Sequence, residues 1–446
     1  MNCDQVRSNL IAYLKGELEE AMVRSVEEHL VRCSSCRQEL EGARKLLSWT
    51  EAASEKAVIE KVEGIIDDAT SAGASDIHLD PQRDGSLSIR QRIDGVLREV
   101  ESVGSARRYG IVARIKMLAE MNVSESSLPQ DGRAKWAAGG KDFDVRVATV
   151  PSIYGEGMVV RILDQSSVLI GLDKLGIRDD HLRAIEKLVY QPNGLIIVSG
   201  PIGAGKTTTI YSMLDRVNKP EIKLVTVEDP VEYSLKGACQ IHINKKAGLT
   251  FPVALRAALR WDPDVIYVGE IRDLESLHVS AEAALTGHLV ITTVHASDAA
   301  GALQRLTDHL ASAGVEPFVV GATLIGVIAQ RLVRKVCSSC KEEVQIDPSD
   351  PKARALGITA DDLKDHKVYK GKGCKKCHMT GYRGRTGVYE VLTITKELGA
   401  LIGEGAAGTE VVEAARREGF VPMQEDGRRK VLDGTTTLEE AFRVLA

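Results

Sequence analysis

Apolar positions recur at helical spacing from the start of the chain. Val6, Leu10 and Leu14 share one face, Lys15-Gly16 breaks the run, and Met22, Val26 and Leu30 resume it. Residues 4–48 therefore predict two or three short helices. Residues 49–60, small and charged, read as a linker (Thr50-Glu51-Ala52-Ala53-Ser54-Glu55). Val58, Val62, Ile65, Ile66 and Ala69 then predict a further helix, stopped by Gly73. Over residues 75–165 the period falls to two. Leu87, Ile89 and Ile93 alternate with Ser88, Arg90, Arg92 and Asp94, and Asp94-Gly95 is a hairpin signal. Phe143, Val145 and Val147 alternate with Asp144 and Arg146, and Gly155-Glu156-Gly157 turns the chain into Met158–Leu163. This block predicts a small α/β unit. Over residues 176–335 short apolar runs (Leu195–Val198, Lys223–Val227, Val265–Val268, Leu289–Thr293) alternate with helical stretches. That rhythm predicts a largely parallel sheet with helices on its faces.

The chain has 446 residues, enough for roughly three domains with cores of their own. Its net charge of −5 and aromatic content of 4% give neither a basic surplus nor many base-stacking platforms, which argues against a nucleic-acid partner. Pro317–Ala329, the longest uncharged apolar stretch, falls short of the ~20 residues of a spanning helix. Asp4 and Arg7 flank no apolar core, so the N-terminus does not read as a secretory leader. A cytoplasmic protein touching a membrane only through partners is expected.

Gly200-Pro201-Ile202-Gly203-Ala204-Gly205-Lys206-Thr207 fits G-x-x-x-x-G-K-[ST] in full, after a strand and before a helix starting near Thr208. Such a loop wraps backbone N–H groups around a β-phosphate at a helix N-terminus. Lys206 is expected to reach the β- and γ-phosphates and Thr207 to bind Mg²⁺. The next strand ends in Glu228-Asp229-Pro230-Val231-Glu232, carboxylates that could hold Mg²⁺ through water or orient the attacking water. Val265–Val268 is followed by Gly269-Glu270, an acid placed to polarise water for in-line attack on the γ-phosphate. His295 follows the last strand and His288 precedes it; a γ-phosphate sensor and a satisfied structural histidine weigh equally there.

Six of eight cysteines form Cys-x-x-Cys pairs. Cys337, Cys340, Cys374 and Cys377 make two knuckles suited to tetrahedral Zn²⁺, with no open position for catalysis. Cys3, His29, Cys33 and Cys36 make a second candidate set. His29 and Cys33 are four apart on one helical face, and Cys3 reaches them if the first helix folds back. The alternative is a helical hairpin with buried thiols. Cys239 reads as a small apolar residue.

With these residues in place, residues 60–446 resemble the type II secretion and type IV pilus assembly ATPase family. Gly73-Ala74-Ser75-Asp76-Ile77-His78, Arg92-Ile93-Asp94-Gly95-Val96-Leu97, Pro129-Gln130-Asp131-Gly132-Arg133, Gly155-Glu156 and Arg161 resemble its N2 domain. Gly200–Thr208 resembles its Walker A and Val227–Tyr233 its Asp box. Leu259–Asp264 through Gly269-Glu270-Ile271-Arg272-Asp273 resembles its Walker B, and Thr286-Gly287-His288 through His295 its His box. Gln330-Arg331-Leu332 and the tetracysteine ending in Thr380-Gly381-Tyr382-Arg383-Gly384-Arg385 resemble the secretion and extension motors; retraction motors of the superfamily lack that module.

The resemblance implies an α/β fold. A RecA-like P-loop core (176–335) follows a PAS-like N2 domain (61–165) and a helical zinc-binding-like module (1–48). A tetracysteine insertion (336–385) and a C-terminal helical subdomain (386–446) come after it. It implies a homohexamer that hydrolyses ATP in the cytoplasm, at the inner membrane, and drives a platform protein that adds pilin-like subunits to a filament. Its nucleotide site would be Gly200, Gly203, Ala204, Gly205, Lys206, Thr207 and Thr208, with Asp229, Glu232 and His288. Glu270 would be the base, Glu228 a metal or water ligand, and His295 the γ-phosphate sensor. N2 arginines are implied to close over the phosphates, and Arg146 and Arg161, then Arg133, are the candidates; strand-face arginines paired to carboxylates are the alternative. Residues 1–48 depart from the family, which starts with a different, membrane-docking domain; His29-x3-Cys33-x2-Cys36 resembles the zinc-binding anti-sigma module. Type II secretion is the leading reading. Pilus extension, a nucleotide-gated zinc-dependent regulator and a DNA-handling motor of the conjugation type are its rivals.

Overall fold

A computed structural model describes residues 1–16, 18–52, 55–164, 169–271, 273–312 and 315–446, with backbone alone at 11, 15, 20 and 44–52. Arg272 of the acidic motif, residues 53–54 of the expected linker and residue 165 lie outside the described residues. The chain divides into two compact units, 1–166 and 167–446.

The first unit opens with helices Cys3–Lys15, Glu20–Arg32 and Ser34–Ala52. Asn2 caps the first, accepting from the Gln5 N–H while the Gln5 side chain accepts from the Asn2 N–H. Val6, Leu10, Val26, Leu30 and Cys36 form a small buried core. Met22 was expected on that face but is exposed, and Val23 is half-buried instead. An i, i+4 row drifts around a helix of 3.6 residues per turn, so its first member rotates outward. The stretch expected to be a linker is helical on both sides of residues 53–54, because Glu55–Ser71 forms the next helix.

That helix and Ser105–Leu118 pack on a six-stranded antiparallel sheet: β1 (Ala74–Pro81), β2 (Leu87–Ile93), β3 (Val96–Val103), β4 (Gln130–Ala138), β5 (Lys141–Ser152) and β6 (Gly155–Asp164), in the order β3-β2-β1-β6-β5-β4. Asp94 and Gly95 make the β2–β3 turn with φ of 51° and 82°, as their sequence predicts. The second hairpin turns at Ile153-Tyr154, so Gly155 already lies in β6. One register row runs Arg92–Asp76–Arg161–Arg146–Arg133 across β2, β1, β6, β5 and β4.

The second unit carries β7 (Gly194–Ser199), β8 (Leu224–Glu228), β9 (Cys239–His242), β10 (Val265–Val268), β11 (Leu289–Val294), β12 (Leu324–Val336), β13 (Lys341–Val344), β14 (Val368–Gly371) and β15 (Tyr382–Thr393). Seven of these form a sheet ordered β15-β12-β7-β11-β10-β8-β9. Every neighbouring pair is parallel except β12–β15. Apolar clusters cover both faces, which is why the central strands read as unbroken hydrophobic runs. β12 pairs with β7 only as far as Ala329–Ser199, then continues with β15 alone to Val336–Tyr382. The tetracysteine segment, with the β13–β14 ribbon, is the loop of this hairpin. Residues 386–446 were expected to be helical; β15 occupies them to Thr393, and four helices follow.

Candidate nucleotide site and metal centres

Parallel strands put their carboxyl ends on one edge, where ligands of open α/β sheets bind. Here β7, β11 and β10 are spatial neighbours, and the loops after them bring Lys206, His295 and Glu270 together. The helix Lys206–Val217 begins at the second half of the glycine loop. Gly200 has φ of 152°, and a Cβ there would lie 2.4 Å from the Gln330 carbonyl oxygen, so only glycine fits. The Ser199 hydroxyl donates to the Ala296 carbonyl at 3.1 Å, and the Thr293 hydroxyl to the Gly269 carbonyl at 2.9 Å. These bonds tie the three strand-end loops to each other.

The Lys206 ammonium donates to the carbonyls of Gly200 (2.6 Å) and Pro201 (3.1 Å) and lies 3.3 Å from His295 Nδ1. Burial lowers its pKa, and Glu270 opposes that shift. Burial, then the Lys206 charge, lowers the pKa of His295, and a neutral ring with Nδ1 unprotonated accepts a hydrogen bond from the ammonium. His295 Nε2 is 3.9 Å from Glu270 Oε2. Thr207 and Thr208 are half-buried on the first helical turn. A carboxylate, a histidine and a lysine thus come together beside the glycine loop.

Other expected site residues are placed differently. Glu228 is 2% exposed, and its carboxylate accepts from Tyr211 Oη (2.6 Å), Thr226 Oγ1 (2.7 Å) and Gln240 Nε2 (3.3 Å). Burial raises its pKa. Glu228 thus braces the outer strands, three of its acceptor positions taken by protein donors, in place of the expected metal or water ligand. Asp229 pairs with Lys245 at 3.1 Å, and Glu232 is half-buried in the following loop. His288 sits at the amino end of β11, where its carbonyl accepts from Gly194 N–H and its Nδ1 meets the Ala283 carbonyl at 3.0 Å. Six residues of strand, roughly 20 Å, separate it from the loop edge, so it does not join this chain's phosphate site. Arg146, Arg161 and Arg133 belong to the first unit, and Arg161 Nε donates to Asp76 at 2.9 Å. Trp261 is exposed, with the Lys223 ammonium 5.8 Å from its ring centre. Sequence reading missed Gln330, whose side chain donates to the Ala204 carbonyl at 2.7 Å. Its only signal was a place in a family motif on a strand not foreseen.

Both cysteine constellations converge. In each, the four ligand atoms lie within 4.8 Å of one another. Cys3 Sγ is 3.6 Å from His29 Nε2 and 3.9 Å from Cys33 Sγ. In the tetracysteine set, sulfur pairs are 3.7, 3.8 and 3.9 Å apart. Tetrahedral Zn²⁺ with Zn–S near 2.3 Å requires edges of about 3.7 Å, so both donor sets fit. His29 Nδ1 is 3.0 Å from the Met1 carbonyl, which fixes the tautomer that leaves Nε2 free to ligate. Hydrogen bonds from the Cys36 backbone and thiol pull Cys33 down to about 6. Burial opposes ionisation of Cys377, but the N–H groups of Cys374 and Gly381 outweigh it and bring that thiol to about 6. Each set thus holds one thiol prepared to ionise.

Residues 51–443 match the type II/IV secretion system protein family, and residues 3–37 match a putative zinc-finger family. The chain is 42% identical over 387 residues to the type II secretion system protein HxcR of Pseudomonas aeruginosa, covering 87% of this chain and 77% of that one. It is 43% identical over 388 residues to the type IV pilus assembly ATPase PilB of Thermus thermophilus, covering 87% of this chain but 43% of that longer relative. Among solved structures, the pilus retraction motor PilT with bound ADP aligns with a TM-score of 0.57 at 26% identity, over 86% of this chain and 96% of that one. The ATPase DotB of Legionella pneumophila aligns with a TM-score of 0.61 at 20% identity, over 85% and 94%, a likeness of fold. With a complete phosphate loop, the acid and histidine at adjacent strand ends and this breadth of identity, the chain belongs to the type II/IV secretion system protein family.

Proposed function

We propose that this chain is the ATP-hydrolysing motor of a type II protein-secretion machine, a homohexamer on the cytoplasmic side of the inner membrane. The observation that carries the reading is the meeting of Lys206, His295 and Glu270 at three neighbouring strand ends, in a chain 42% identical to a secretion protein. Backbone N–H groups from Gly200 to Thr208 cradle the phosphates of ATP, and Lys206 leaves the loop carbonyls to meet them. Mg²⁺ suits a hydroxyl donor such as that of Thr207, on the first turn after the loop, and when bound it would neutralise phosphate charge. Glu270 takes the proton of the attacking water. Neutral His295 reports the γ-phosphate through its bond to Lys206.

Arg146, Arg161 and Arg133 share one register row on the first unit's sheet and are the arginines the family resemblance implies for phosphate; Arg161 is paired with Asp76. Movements of the ring act on an inner-membrane platform protein that adds pilin-like subunits to a filament. Zn²⁺ holds the helical module and the hairpin loop in shape. Pilus extension is the second reading, favoured by the 43% identity to a pilus assembly ATPase over the same share of this chain. Lys206→Ala tests the proposal: export through the machine stops, ATP turnover falls by at least about 10²-fold, and hexamers still form by sedimentation. Normal export by that variant defeats the motor reading.

A further inference from the structure

We propose that Gln330 is a positioning residue for nucleotide binding, orienting the phosphate loop from the neighbouring strand β12. The inference rests on the phosphate-loop reading above and adds to it a residue outside the loop. Gln330 is fully buried, and its Nε2 donates to the Ala204 carbonyl at 2.7 Å. A trans peptide points its C=O and the next N–H in opposite directions. Holding the Ala204 carbonyl toward the protein interior therefore turns the Gly205 N–H toward the open side, where Ile202 is 90% exposed and a phosphate can enter.

Two loop glycines close on this one residue. A Cβ at Gly200 would meet the Gln330 carbonyl oxygen at 2.4 Å, and one at Gly205 would meet Gln330 Nε2 at 3.3 Å. Tyr389, the cross-strand partner of Gln330 on β15, places its hydroxyl 3.4 Å from Thr209 Oγ1 on the helix that follows the loop. Gln330 Oε1 is buried and meets no donor among the described residues. A glutamine used only for packing would have no reason to keep an unmet acceptor beside a loop of N–H groups.

The test uses the full, zinc-loaded chain and three readouts: steady-state ATP turnover, binding of a non-hydrolysable ATP analogue with Mg²⁺, and melting without nucleotide. Gln330→Met keeps the length and removes both polar atoms. The expected result is a KM for ATP and a Kd for the analogue raised about tenfold, with kcat within about twofold and melting unchanged. Gln330→Asn keeps the amide but draws it one methylene short, and the same split is expected should the methionine variant fail to fold. A purely structural role predicts lower melting and kcat with KM unchanged, and that outcome overturns the inference. Wild-type binding with both variants equal to it overturns this inference alone. Failure of the wild-type chain to bind the analogue overturns the nucleotide reading, and this one with it.

Discussion

Two glutamates at nearby strand ends have opposite fates. Glu270 keeps a quarter of its side chain exposed beside His295, while Glu228 is sealed among Tyr211, Thr226 and Gln240. Both stand at the end of an apolar strand in sequence, so residue type and position alone could not separate them. What separates them is the outer edge of the sheet: β9 supplies Gln240, and the helix after the loop supplies Tyr211. The sign of the resulting pH effect is fixed. Burial raises the folded-state pKa of Glu228, so folding favours its protonated form. That contribution is complete below the ordinary carboxylate range and is lost as pH rises through the raised value. Glu228→Gln keeps the shape without the buried charge. Its melting temperature should gain on wild type progressively from about pH 4.5 upward, with kcat changed by less than about threefold. Parallel melting profiles, or a kcat loss of about 10²-fold, would return Glu228 to the reacting atoms.

Elements were legible where burial on both faces leaves a continuous apolar run. β7, β8, β10 and β11 all lie within a residue of their expected limits. β9 was missed because an edge strand of Cys239, Gln240, Ile241 and His242 is half-buried and carries no run. β12 was missed because its first half merges with the helix Pro317–Thr323 into one uncharged stretch, and its second half, Arg331-Leu332-Val333-Arg334-Lys335-Val336, shows neither an apolar run nor alternation where it pairs with β15 alone. Packing between elements leaves a sharper trace in small residues. Helices Pro317–Thr323 and Lys396–Gly403 cross where a Cβ at Gly321 would stand 2.2 Å from the Gly399 carbonyl oxygen, and one at Gly399 2.7 Å from that of Gly321. Gly321→Ala should therefore lose about 1–3 kcal/mol of stability by chemical denaturation. A Cβ at Gly64, inside the helix Glu55–Ser71, would meet nothing within 4 Å, and Gly64→Ala should gain about 0.5–1 kcal/mol. Equal responses at the two sites would show that contact at the crossing does not set the cost.

At the scale of the molecule, the two candidate metal centres differ in what else holds them. Among the described residues the helical module buries Val6, Leu10, Val26, Leu30 and Cys36, and the last of these is itself a ligand candidate. So small a core leaves metal binding as a large part of its folding energy. A His29→Ala, Cys33→Ser double variant should lose about one zinc per chain and expose residues 3–36 to protease, while ATP turnover persists. A protease-resistant module without its metal would show that the thiols simply pack. Both centres could be read from the sequence because Cys-x-x-Cys spacing is local. The arginine row could not, since it is made by register across five strands and no spacing along the chain records it. The tetracysteine segment leaves the hairpin at Val336 and returns at Tyr382, and these two residues are direct cross-strand partners. The segment from Cys337 to Gly381 thus leaves and rejoins the sheet at one cross-strand pair, yet it is also bound to the C-terminal helices: Ala353, Leu356, Ile358 and Val368 join the main buried core, and Asp362 pairs with Arg428. Cutting the segment out would spare the strand register but bare apolar surface on the C-terminal helices, so the insertion is a wall of the second unit as well as a candidate metal holder.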